Sequence, residues 1–286
     1  MPPLKLPYTI NIKGKLLSLS QPIVMGIVNL TPDSFYIKSR KNTEKDIRER
    51  VLQIIDEGGD IIDVGAYSSR PGAEDVSPEE EMRRLREGLK IIRETNPHIP
   101  LSVDTFRADV AKMCVEEYGI DIVNDISAGE LDPNMLQTVA ALQIPYVMMH
   151  MKGNPRTMQI SHNYKDLIGE MFLYFSSKIK KLQDLGLHDI ILDPGFGFAK
   201  TLEQNYELLN RLEDFKEFHL PILVGVSRKS MIYKLLGGTS TDALNGTTAV
   251  HVIALLKGAN ILRVHDVKAC LEAIRIIEKM KEVNTL

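Results

Sequence analysis

Apolar and polar positions alternate in blocks along this chain, and the blocks keep a fixed order. Short apolar runs, each ending in a polar residue or a Gly/Pro turn, are separated by longer segments with helical spacing. One run shows the grammar. Ile190-Ile-Leu192 is apolar throughout, as a strand buried on both faces requires, and Asp193-Pro-Gly195 ends it at once. The stretches Ile23–Asn29, Asp60–Ala66, Pro100–Asp104, Asp121–Asp125, Pro145–His150, Pro221–Ser227 and Asn260–His265 repeat it, so eight buried strands are predicted. Helices are predicted over about 43–57 with Thr43 as cap, from Ser77-Pro78 to about 95, and up to about Tyr118. Others follow over about 134–141, 164–185 and 202–212, with a terminal helix to about Lys281. Tyr8–Leu19 alternates around Lys13-Gly14-Lys15 and predicts a small hairpin that plugs the bottom of the sheet.

Strict strand–helix alternation implies a parallel sheet with right-handed crossovers. Eight such units in roughly 250 residues match an α/β (β/α)8 barrel with a short N-terminal hairpin. No linker or low-complexity stretch divides residues 1–286, which are therefore read as one domain. The alternative is a doubly wound open sheet, weakened because no GxGxxG turn follows any strand. In a barrel, functional groups gather where the strands end.

Composition narrows the class. The net charge of −3 and the lack of a basic block argue against a nucleic-acid partner. Cys114 and Cys270 have neither CxxC nor metal-ligand spacing, which points to a reducing compartment. Met1-Pro-Pro-Leu-Lys5 lacks the apolar core of a signal peptide, and no apolar run approaches the ~18 residues of a membrane span. The reading is a cytoplasmic protein without a membrane partner.

The strand ends bring candidate chemistry together. Asn29, Asp63, Ser69, Arg70, Asp104, Asn124, Asp125, His150, Asp193, Ser227, Arg228, Lys229, Arg263 and His265 would all reach one mouth. Asp104, Asn124 and Asp193 can wall a polar slot, because a carboxylate accepts two parallel hydrogen bonds from a planar N–C–N group. Such a slot suits a flat heterocycle; the plainer reading is strand and helix capping. Arg263 and His265 are two apart on one strand and share a face, so with Asn29 they can bind a phosphoryl anion, with or without a metal. The competing reading has Arg263 paired structurally with a barrel carboxylate. Lys229 is placed over the slot or simply in solvent. Thr31–Phe35 and Tyr67–Gly72 read as covers for a bound substrate, and His150 and His162 as structural rather than zinc ligands.

These residues fall in motifs that are similar to one family. Met25-Gly-Ile-Val-Asn-Leu-Thr-Pro-Asp-Ser-Phe35, Gly65-Ala-Tyr-Ser-Ser-Arg-Pro-Gly72, Ser102-Val-Asp-Thr105 and Val123-Asn-Asp-Ile126 resemble the dihydropteroate synthases. So do Met149-His-Met-Lys-Gly-Asn-Pro155, Asp193-Pro-Gly-Phe-Gly-Phe198, Gly225-Val-Ser-Arg-Lys-Ser230 and Arg263-Val-His265. The resemblance implies a (β/α)8 barrel, a homodimer through helices near the C-terminus, and Mg²⁺ as cofactor. It implies condensation of 6-hydroxymethyl-7,8-dihydropterin diphosphate with 4-aminobenzoate, giving 7,8-dihydropteroate and pyrophosphate. Carried over by position, Asp104, Asn124, Asp193, Lys229 and Met148 hold the pterin. Asn29, Arg263 and His265 take the diphosphate, with Asn29 on the metal. Phe35, Ser69, Arg70, Pro71, Phe198, Ser227 and Lys229 line the aminobenzoate pocket, and Asp33, Arg70 and Lys229 are the catalytic groups.

Two departures stand out. Where the family usually continues Ser-Asp-Gly-Gly after Ser-Phe, this chain has Tyr36-Ile-Lys-Ser-Arg40, and Ser69 replaces the usual Thr. Two rival readings fit the same slot: a pterin-binding methyltransferase domain, and a barrel that binds pterin but has lost synthesis. The first needs neither Arg263-x-His265 nor Lys229; the altered first loop is the one feature pointing to the second.

Overall fold

A computed structural model describes residues 8–31, 40–67, 76–153 and 163–283. Strands β1 (Thr9–Ile12) and β2 (Lys15–Ser18) form the hairpin, turning at Lys13-Gly14 where both residues have positive φ. The repeating part follows as β3 (Ile23–Asn29), α1 (Arg40–Asp56), β4 (Ile61–Gly65), α2 (Pro78–Thr95), β5 (Leu101–Asp104) and α3 (Ala108–Tyr118). Next come β6 (Ile122–Asp125), α4 (Met135–Leu142), β7 (Tyr146–Met149), α5 (Leu167–Asp184), β8 (Ile190–Asp193) and α6 (Leu202–Asn210). A 3₁₀ helix at Leu212–Phe218 precedes β9 (Leu223–Val224), α7 (Ser230–Leu236), α8 (Leu244–Lys257), β10 (Ile261–Val264) and α9 (Val267–Val283).

The eight strands from β3 to β10 are parallel and lie in the order β8-β7-β6-β5-β4-β3-β10-β9. A single bridge between Leu192 and Ile222 brings the two ends together, so the sheet is a nearly closed barrel rather than an open one. Where the chain is apolar on both strand faces, each face has its own core. Ile23, Met25, Ile61, Ile122, Val147, Ile191, Leu223 and Ile261 fill the interior, and Ile10 and Leu19 of the hairpin segment close it from below. Outward residues such as Val64, Val103, Val123, Leu192 and Val264 meet the helices. Each fully buried side chain of this kind contributes roughly 1.5–3 kcal/mol. Among the described residues the interior is thus filled beneath the mouth, and in barrels of this kind ligands bind at the C-terminal strand ends.

Local signals set several boundaries. Ser77 caps α2, its hydroxyl accepting from the Glu80 N–H, and Pro78 takes the first turn, where a missing N–H costs nothing. Helix α1 begins at Arg40, three residues ahead of the expected Thr43 cap. Helices α7 and α8 occupy a stretch in which the apolar spacing marks no boundary. None of the helices among the described residues is long and apolar enough to cross a membrane.

Candidate active site

Period-two alternation decides which strand-end side chains enter the mouth. Asp63 on β4, Asp104 on β5, Asn124 on β6 and Arg263 on β10 all turn inward and bond to one another. The fully buried Asp63 accepts from Arg263 Nε at 2.6 Å and from Asn124 Nδ2 at 3.3 Å. Arg263 Nη2 donates to Asp104 Oδ2 at 2.7 Å. Four strands are thereby tied through their side chains. Because the Asn124 amide nitrogen points at Asp63, its oxygen is left to accept from a ligand.

Asp193 stands at the end of β8, where Pro194 stops the strand. One of its oxygens accepts from the Gly195 N–H at 2.8 Å. Lys229, just ahead of α7, supplies the opposing charge. Its ammonium donates to the Phe196 carbonyl at 2.6 Å and lies 4.8 Å from the centre of the Phe198 ring. Ser227 and His265 are neighbours across β9 and β10: the His265 N–H donates to the Ser227 hydroxyl at 3.1 Å, with the ring Nδ1 at 3.2 Å. Asn29 ends β3, which lies beside β10.

Burial governs the electrostatics of this group. It pushes the Asp104 carboxyl up to about 7, against the pull of the Arg263 guanidinium. Asp193 is also raised by burial, with Lys229 opposing. The Lys229 ammonium is pushed down to about 8 by burial, with Asp193 working to keep its charge. For Arg263, burial acts against the cation, but Asp63 and Asp104 outweigh it and hold the guanidinium above its ordinary value. The floor therefore carries three acids against two bases, with an amide between them. That set can accept hydrogen bonds from an electron-rich ring bearing several N–H groups, and can stabilise positive charge developing on it.

Not every expected residue joins the group. Met148, which the resemblance implies for the slot, lies on the outward face of β7, in the core beneath the helices. Its neighbour Met149 faces the mouth side, packed with Ile126, Met151 and Ala199 and next to Phe198. Asp125 is likewise turned outward, accepting from the Tyr146 hydroxyl at 2.6 Å and from the Ser127 and Gly129 N–H groups. Arg228 points away to form a two-bond ion pair with Asp266. The His150 ring packs edge-on to Tyr174 at 4.9 Å, with its Nδ1 3.1 Å from Lys200 Nζ. Asp33, Phe35, Ser69, Arg70, Pro71 and His162 lie outside the described residues. The sequence places Asp63 at the rim but does not reveal its role as shared acceptor, and Lys200 carries no signal beyond its place two residues after Phe198.

Among the described residues, no cluster of three His, Cys, Asp or Glu side chains is spaced to hold a metal ion. Asn29, at the end of β3 beside β10, carries an amide oxygen, a donor type that a hard cation such as Mg²⁺ accepts.

Residues 25–265 match the family profile described as "Pterin binding enzyme". The dihydropteroate synthase of Escherichia coli K12 is 43% identical over 268 residues, covering 93% of this chain and 94% of its own. Two solved structures superpose with a TM-score of 0.88. One is the Yersinia pestis dihydropteroate synthase in complex with a sulfonamide drug, 37% identical, covering 96% of this chain and 100% of that one. The other is the Xanthomonas albilineans enzyme with 4-aminobenzoic acid, 34% identical, covering 96% and 99%.

Proposed function

The chain belongs to the family of pterin-binding enzymes, as a dihydropteroate synthase, and from that premise we propose how its mouth condenses the pterin diphosphate with 4-aminobenzoate. One observation supports the reading most: Asp193, Asp104 and Asn124 share a mouth with Lys229 and Arg263, over a filled barrel. In this reading Asp193 accepts two N–H bonds from the N–C–N edge of the pterin. The Asn124 oxygen and Asp104 accept from the ring beside it. Arg263, His265 and Asn29 receive the diphosphate. Phe198, Lys229 and Ser227 line the aminobenzoate pocket; Asp33, Phe35, Ser69, Arg70 and Pro71 are assigned by the resemblance alone.

The reaction we infer is dissociative. Pyrophosphate leaves with the bonding pair of its C–O bond, and the methylene becomes a cation delocalised into the dihydropterin. The acids beneath the ring favour that charge, while cationic side chains at the lip favour the departing anion. Mg²⁺ held through Asn29 would supply further neutralisation of the diphosphate. The unprotonated aniline nitrogen then attacks the methylene and loses a proton. No protein nucleophile is needed. Binding is ordered, because the pterin and pyrophosphate complete the second pocket. The chain is expected to release pyrophosphate steadily from the two substrates, and to bind aminobenzoate tightly only when pterin and pyrophosphate are present. Absence of turnover would overturn the function, and equal aminobenzoate affinity with and without the pair would overturn the order.

We also propose a homodimer. Leu236 of α7, Ile253 and Leu256 of α8, and Ile276 and Met280 of α9 are exposed apolar residues on successive helices, between 40% and 67% accessible. A surface of that kind is expected to be covered. Light scattering should give twice the chain mass, and Leu256→Glu should lower it toward one chain; a wild-type monomer would refute the assignment.

A further inference from the structure

Lys200 has no place in the substrate contacts above, yet its side chain is 5% exposed and fully engaged. Its ammonium donates to the Gly195 carbonyl at 2.9 Å and the Phe198 carbonyl at 3.1 Å, and lies 3.1 Å from His150 Nδ1. The three donors of an ammonium are thereby used. The His150 carbonyl, at 3.5 Å, is a weaker fourth neighbour. We propose that Lys200 is the positioning residue of the aminobenzoate pocket, clamping the 195–198 turn against the end of β7 so that the Phe198 ring and the Lys229 ammonium face each other. This rests on the assignment of Phe198 and Lys229 to that pocket.

The turn needs such a clamp. Gly195, Gly197 and Ala199 all have positive φ, at 73°, 81° and 49°, and an alanine pays for that conformation. The turn is also pressed onto β7: a Cβ on Gly195 would lie 2.1 Å from the His150 carbonyl oxygen. The turn closes on itself through the Phe198 N–H to the Gly195 carbonyl at 3.2 Å, and the Gly197 N–H donates to Asn205 Oδ1 at 2.6 Å, but neither bond ties its carbonyls to β7. Lys200 holds two of them. Its other anchor is rigid, since the His150 ring is backed by Tyr174, whose hydroxyl donates to the Ser127 carbonyl at 3.0 Å, with the Met149 carbonyl at 3.3 Å.

The clamp acts on one pocket more than the other. Asp193 touches the turn through one bond, from the Gly195 N–H, and is otherwise fixed within the sheet, paired with Met149, with its carbonyl accepting from the His150 N–H at 3.0 Å. Phe198 lies beyond the strand and depends on the turn. Loss of Lys200 therefore shifts the Phe198 ring and the Phe196 carbonyl that receives Lys229, while leaving the carboxylate of β8 in register. A merely structural lysine would affect both pockets alike.

Lys200→Met keeps an unbranched apolar stem, one atom shorter, and removes all donors. Its KM for aminobenzoate is expected to rise at least ~10-fold, with the KM for the pterin diphosphate changed by less than ~3-fold, since misplacement by about 1 Å costs up to ~100-fold. Equal changes for both substrates, or an unchanged aminobenzoate KM, would overturn the clamp. Should Lys200→Met fail to fold by circular dichroism, His150→Leu serves instead, because it removes one anchor and keeps both carbonyl bonds. It is expected to show the same selectivity at ~3-fold, and a loss shared by both substrates would again overturn the clamp. Phe198→Ala is the companion measurement. If it leaves aminobenzoate binding intact, the pocket assignment falls and the clamp with it; if it weakens binding while Lys200→Met does not, the clamp alone falls.

Discussion

Asp193→Ala is expected to abolish measurable pterin binding. The substitution deletes both acceptors for the N–C–N edge of the ring, and hydrogen bonds to a charged group contribute about 1.5–3 kcal/mol each. Two of them correspond to a loss of roughly a hundredfold to ten-thousandfold in affinity. The same change leaves Lys229 without the charge that does most to keep it protonated, and the Gly195 N–H without its acceptor. Asp193→Asn separates these effects, because it preserves the bond from Gly195 while removing the charge and offering the ring one acceptor in place of two. Calorimetry on the free pterin should show no binding to the alanine variant and weak binding to the asparagine variant. Near-normal affinity in Asp193→Ala would remove the slot from the account altogether.

The second large effect belongs to Arg263→Ala, and the structure changes what is expected of it. Read from the sequence, Arg263 serves the diphosphate, with a structural ion pair as the competing role. The pairing is present: Nε is committed to Asp63 and Nη2 to Asp104. Removing the guanidinium leaves Asp63, which is fully buried, and the partly buried Asp104 without a cation. Breaking a buried pair in this way costs about 3–5 kcal/mol. The thermal midpoint should fall by roughly 5–15 °C for a chain of this size. Pterin binding should suffer along with diphosphate binding, since Asp104 is already pushed up to about 7 with Arg263 present and goes higher without it. A protonated Asp104 gives up acceptor capacity, so pterin affinity of the variant should be weakest at acid pH. It should recover as pH rises above 7, at a higher pH than in the wild type. A variant of unchanged stability that loses only diphosphate affinity would show that the two ion pairs have little energetic weight.

Legibility in the sequence followed the physics of each element. The eight barrel strands were readable because strands covered on both faces need unbroken apolar runs, and each run here ends in a polar residue or a turn. The same unbroken character hid which side each residue faces. In Tyr146-Val-Met-Met149 nothing alternates, so a one-residue slip moved the expected contact to Met148 when Met149 faces the mouth. Helix α8 is obscured in the sequence for a related reason. Val250 and Ala254 are buried while Ile253 and Leu256 are exposed, so apolar residues surround the helix and no single stripe marks it. Asp104, Asn124 and Asp193 were found because polar residues closing apolar strands are conspicuous. Asp63 and Lys200 were not given their roles, because their work is to hold other groups, and such partnerships form only when distant strands meet.

One feature of the barrel bears on how the site can adapt. β9 is two residues long and meets β8 through a single bridge, whereas β3 and β4 share five aligned positions. Asp193 rises from one bank of that sparse seam, and the chain leading to Lys229 leaves from the other. The gap separating the pterin acid from the ammonium opposite is thus the dimension of the cavity that the cylinder's own ladder restrains least, and a guest ring can set it for itself.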